Sequence, residues 1–93
     1  MRIEQNQKYW DIIEVIGDSV YQAYNSGGRK DLIILYSVKE RRLYSYVYEE
    51  FKNDLNERSQ QMLEEQYKNA TEEGKVVLFI RDEAARKFKS FTI

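Results

Sequence analysis

The side chains that most readily do chemistry near neutral pH are missing from this chain, whose 93 residues include no histidine and no cysteine. The usual general base, the thiol nucleophile and the common transition-metal ligands are therefore absent, which excludes a zinc site and a Ser-His-Asp triad. Carboxylates remain. Asp11, Glu14 and Asp18 recur at helical spacing and could in principle gather a hard cation through oxygen ligands, but the same spacing describes a solvated helix face, the reading adopted here. Glu49-Glu50 and Asp82-Glu83 fall near expected element ends, where carboxylates suit helix N-termini and turns. Gly27-Gly28 follows a helical pattern, and neither GxGxxG nor GxxxxGK occurs, so the pair is read as a helix stop and not as a phosphate cradle. The expectation is a non-enzymatic protein with no catalytic residue, no metal ligand and no cofactor.

Recognition chemistry is better represented. The stretch LYSYVYEEF, residues 43–51, places Tyr44, Tyr46 and Tyr48 at every second position, directly after Arg41 and Arg42. In a strand that spacing puts the three rings on one face and Leu43, Ser45 and Val47 on the other. Such rings either pack or meet a partner. If they are outside, two functions compete. Tyrosine with arginine is the composition of protein-interface hot spots. Aromatics on a sheet beside basic turns also suit the stacking of unpaired bases, with Lys87 and Lys89 available for phosphates.

The elements that must position these residues can be read from periodicity. Residues 8–25 put Tyr9, Ile12, Ile13, Ile16, Val20 and Ala23 on one helical face, and Asn25-Ser26-Gly27-Gly28 ends the run. Gly17 interrupts it, which a close approach of another backbone would justify. Residues 31–38 are apolar at both parities, as suits a strand covered on both faces or central in a sheet. A polar link at 39–42 leads to the alternating segment 43–48, expected to pair antiparallel with the strand before it. Helical periodicity returns from Glu50 to Glu73, Gly74 stops it, and residues 75–81 repeat the fully apolar strand. Residues 82–86 read as a turn and 87–93 as a last strand.

The order α-β-β-α-β-β contains a weak internal repeat, with its hairpins offset by about 44 residues. It predicts an α+β fold: one domain over residues 1–93, two-layered, with a four-stranded antiparallel sheet and two helices on one face. No apolar run reaches membrane-spanning length and the N-terminus has no secretory pattern, so a cytoplasmic location is expected.

Net charge of −1 conceals a division by element. Residues 1–28 and 49–74 carry −2 and −5, while 29–48 and 75–93 carry +3 each. Acidic helices and basic hairpins would steer an anionic partner, and basic turns and edges also guard against aggregation. The favoured reading is a small interaction module, of inhibitor, immunity-type or assembly-partner kind, which docks on another protein or a second copy of itself. Its contact residues would be Tyr44, Tyr46, Tyr48, Arg41, Arg42 and Arg86. The alternative is a single-stranded nucleic-acid-binding protein using the same rings; the acidic overall charge and the two glutamates that follow the rings weigh against it.

Overall fold

The computed structural model describes residues 2–93, and the side chains from Gln7 onward. Helix α1 (Arg2–Asn25) leads into strands β1 (Leu32–Ser37) and β2 (Arg42–Val47), then come a short helix α2 (Tyr48–Asn53), helix α3 (Glu57–Glu73) and strands β3 (Val77–Asp82) and β4 (Lys87–Thr92). The predicted α+β class and four-stranded sheet hold. The sheet order is β2-β1-β3-β4, with β1 and β3 parallel at the centre and each outer strand antiparallel to its neighbour.

Two features differ from expectation. The sheet is mixed and not wholly antiparallel, because the chain between β1 and β3 must cross the sheet. With β2, α2 and α3 it is long enough to return β3 parallel to β1. The helices also do not share a face. On one side, Tyr9, Ile13 and Val20 of α1 pack with Ile34, Leu78, Ile80 and Phe91. On the other, Tyr48, Leu63 and Ala70 of α2 and α3 pack with Ile33, Leu35, Val77 and Phe79. The arrangement is therefore three layers. Its cause lies in the central strands: Leu32–Leu35 and Val76–Ile80 are buried without a break, and side chains of both parities need a covering layer.

Local chemistry sets the helix ends. Gly28 takes a left-handed φ of 73° as the chain leaves α1, and its N–H reaches the carbonyl of Asn25. The segment expected as one helix from Glu50 is broken at 54–56, where Asn56 turns extended and its side chain accepts from the Ser59 N–H at 2.9 Å, capping α3 afresh. The expected close approach at Gly17 is not found: a Cβ added there meets nothing within 4 Å.

Candidate functional site

Alternation along β2 sends Tyr44 and Tyr46 to the α2/α3 face, where Tyr44 pairs across to Leu35 and Leu35 to Phe79. The rings continue beyond β2. Tyr44 lies 6.5 Å from Tyr46 between centroids, Tyr46 5.6 Å from Phe51, Phe51 5.1 Å from Phe79, and Phe79 5.0 Å from Phe88. These contacts form an arc from one sheet edge to the other. It is buried at Phe79, while Tyr46 on β2 is 37% and Phe88 on β4 48% exposed.

Tyr48 stands apart. The strand ends at Val47, Tyr48 opens α2, and its ring is buried face to face with Tyr67 at 3.9 Å and 9°. Burial pushes both phenols above their ordinary value. The even spacing that suggested a third surface ring runs across a change of element. Glu49 and Glu50 favour that change by placing carboxylates in the first helical turn.

The arginines sit at the hairpin ends. Ser37 pairs with Arg42 and Asp82 with Lys87, so each hairpin closes with a four-residue loop, 38–41 or 83–86. Each loop ends on an arginine in the left-handed region, Arg41 at φ 53° and Arg86 at φ 55°. Because β1 and β3 run parallel, both loops lie at one end of the sheet. Glu83 joins them: it accepts from the Ser37 hydroxyl at 2.5 Å, the Lys39 N–H at 3.0 Å and the Arg81 guanidinium at 2.9 Å. These donors, the Ser37 hydroxyl foremost, hold the Glu83 carboxyl down from 4.5 to about 2. Asp82 is buried and accepts from Lys8 Nζ at 2.8 Å and the Tyr9 hydroxyl at 3.0 Å, which keeps its carboxyl below the usual range.

The acidic pair at 82–83 thus closes turns and locks the two hairpins and α1 together. Arg81 is engaged in that lock. By contrast, Arg41, Arg42, Arg86, Lys87 and Lys89 are exposed and enter none of the ion pairs among the described residues. Arg42 lies over the Tyr44 ring at 5.3 Å, and the Tyr44 hydroxyl donates to Glu40, which raises the phenol. Of the six residues singled out in the sequence, Arg41 and Arg42 sit at the hairpin end of β2, Tyr44 and Tyr46 follow along that strand, Arg86 sits in the second loop at the same end of the sheet but beside β4, and Tyr48 belongs to the core. Asp11, Glu14 and Asp18 are exposed on α1, and no group of three acidic side chains placed to hold a metal ion occurs among the described residues.

Sequence reasoning missed Phe51, Phe79 and Phe88, whose proximity depends on pairing between β3 and β4 and on where α2 falls. It also missed a groove of about 670 Å³ between α3 and the β3–β4 hairpin, floored by Phe79, Phe88 and Ser90 and walled by Met62, Leu63 and Gln66. Exposed Phe88 between lysines was the available signal. A scan against protein-family models and searches of curated proteins and of solved structures found no match. No helix among the described residues is long and apolar enough to cross a membrane.

Proposed function

We propose that this chain is a non-enzymatic interaction module that docks a partner protein on the hairpin end of β2, with Tyr44 and Tyr46 as contact rings and Arg41, Arg42 and Arg86 as charged anchors. The observation that carries the reading is the 37% exposed Tyr46, held in the ring arc against Tyr44 and Phe51, together with the Arg42 guanidinium, which lies over the Tyr44 ring and enters no ion pair among the described residues. A ring already fixed by packing loses little side-chain entropy on binding, and an unpaired guanidinium offers its full fork to a partner carboxylate. The partner face is accordingly apolar at its centre and acidic at its rim.

A protein partner is preferred to a nucleic acid on a specific point of geometry. One face of Tyr44 is already covered by Arg42 and its hydroxyl is engaged, which leaves little free ring face for a base. Glu49 and Glu50, exposed in the first turn of α2 directly after β2, are also unfavourable to a polyanion.

The test is capture by the immobilised full chain, comparing wild type with Tyr46→Ala and Arg42→Glu, after thermal melts establish that both variants remain folded. Loss of the same captured protein by both variants is the expected result, and equal capture by all three overturns the reading. Titration with a single-stranded oligonucleotide at several salt concentrations decides the alternative: a log–log slope of about −0.7 per neutralised phosphate, abolished in Tyr46→Ala, replaces the protein-docking reading with nucleic-acid binding.

A further inference from the structure

The opposite edge of the sheet supports a separate inference. Among the described residues strand β4 pairs only with β3, and Lys87, Phe88, Lys89 and Ser90 are exposed in succession. The pairing fixes which backbone groups are free. Val76 and Ile93 exchange both hydrogen bonds, at 2.7 and 2.9 Å, so they form a bonded pair of the antiparallel ladder. Such pairs alternate, and hence Leu78 with Phe91, Ile80 with Lys89 and Asp82 with Lys87 are bonded pairs too. The N–H and C=O groups of Phe88, Ser90 and Thr92 therefore point away from β3, toward the open edge.

Side chains of these same three residues line the groove, with Phe88 against Phe79 and Thr92 accepting from the Gln66 side chain at 3.3 Å. Residues of the other parity, Lys87 and Lys89, stand on the α1 face and enter no ion pair among the described residues. A segment added beside β4 would thus meet a mostly apolar groove, with Glu65 and Glu73 on its α3 side, at one parity and two ammonium groups at the other. Cross-strand neighbours of opposite charge are favourable and like charges are not. A second copy of β4 would bring its own two lysines to the same edge, the arrangement by which edge lysines oppose self-pairing.

We infer that β4 is a strand-addition site for an extended segment of a partner chain that alternates acidic and apolar residues. Its acidic side chains face Lys87 and Lys89, and its apolar ones enter the groove between Met62 and Phe88. Main-chain bonds to Phe88, Ser90 and Thr92 supply affinity, and the two side-chain sets supply specificity. This site does not depend on the arginine-rimmed surface at the β2 edge, and Tyr46→Ala or Arg42→Glu leaves it intact.

The test uses the full chain, isotope-labelled, titrated with a short capped peptide alternating Glu and Leu, and separately with its Lys–Leu counterpart. The Glu–Leu peptide is expected to shift the amide signals of Phe88, Ser90 and Thr92 and to bind about tenfold more tightly than the Lys–Leu peptide. In Lys87→Glu/Lys89→Glu that preference reverses. Ser90→Pro removes one outward N–H while sparing the ladder to β3, and it lowers affinity by about tenfold or more. No shift at about 1 mM peptide, equal binding of both peptides, or full binding by Ser90→Pro overturns the inference. Broadening of the Phe88 and Ser90 amides that grows with protein concentration in the absence of peptide overturns it in favour of pairing between two copies.

Discussion

The two faces of the sheet are built from different materials and are closed to different degrees. Under α1 the sheet presents Ile34, Leu78 and Ile80, all without exposed surface, and Val20 of the helix seals against them. Under α2 and α3 it presents a row of rings that is enclosed at Phe79 but from which Tyr46 and Phe88 emerge at the two edges. Aliphatic side chains interdigitate at close to crystal density, and the exposed Trp10 lies at the margin of this layer against Phe91. Rings in tilted contact keep large rigid surfaces partly in water, which is the condition of an interface before it is occupied. Both faces hold buried core, and the α2/α3 face is the one whose sheet leaves rings partly exposed, at Tyr46 and Phe88.

The sharpest way to break this contrast is to cut into each face in turn. Leu78→Ala removes a fully buried side chain from the α1 layer and is expected to cost about 2–5 kcal/mol, close to the whole stability of a small domain. Phe88→Ala removes more atoms, yet its ring is half in water, and a loss below about 1.5 kcal/mol is expected. Denaturant unfolding of both variants measures the difference. Equal losses would mean that the aromatic face is as much core as the aliphatic one.

Much of this architecture was legible in the chain. Strand positions and the helical stripe of α1 could be read because burial imposes periods of two and 3.6 on local sequence, and the same logic placed Tyr44, Tyr46 and the loop arginines. The layer order was less accessible, although its cause was visible: Leu32–Leu35 and Val77–Ile80 are apolar at both parities, which calls for a cover on each face. What periodicity does not carry is the path of a crossover, and so α3 was expected beside α1. Tyr48 shows the same limit on a smaller scale. Spacing of two continues from Tyr46 to Tyr48, but the backbone turns into α2 at that point, and a pattern cannot report a bend between its members. The phenylalanine arc lay beyond reach because Phe51, Phe79 and Phe88 meet only through pairing and helix placement.

A smaller effect tests how α1 is fastened to the hairpin end. Asp82→Ala deprives the buried Tyr9 hydroxyl of its acceptor and frees Lys8, and it also removes the acceptor for the Ala85 N–H at 3.4 Å in the second loop. A loss of about 1–3 kcal/mol follows from leaving a buried hydroxyl unsatisfied, with little from the Lys8 charge, whose side chain is mostly in water. The expected signature in hydrogen exchange is faster opening of α1 near Tyr9 with the Phe51–Phe79 side unchanged. Uniform acceleration on both faces would contradict a local clamp.

The smallest effect concerns Glu83, which ties the two loops together and separates the roles of acid and base at this end of the molecule. Its carboxyl lies at about 2 in the folded chain against an ordinary 4.5, because the charged form accepts from Ser37, Lys39 and Arg81. A depressed folded value means that ionised Glu83 favours the native state. That contribution is fully present above 4.5 and is lost as pH falls from 4.5 toward 2, where the unfolded chain takes up its proton first. Glu83→Gln cannot titrate. The melting temperature of the wild type should therefore exceed that of the variant at neutral pH, with the gap narrowing across this window. Asp82 titrates in both proteins and largely cancels from the difference. A gap that stays constant down to pH 2 would assign the loop tie to hydrogen-bond geometry alone, and the arginines beside it would then be held in place without help from the Glu83 charge.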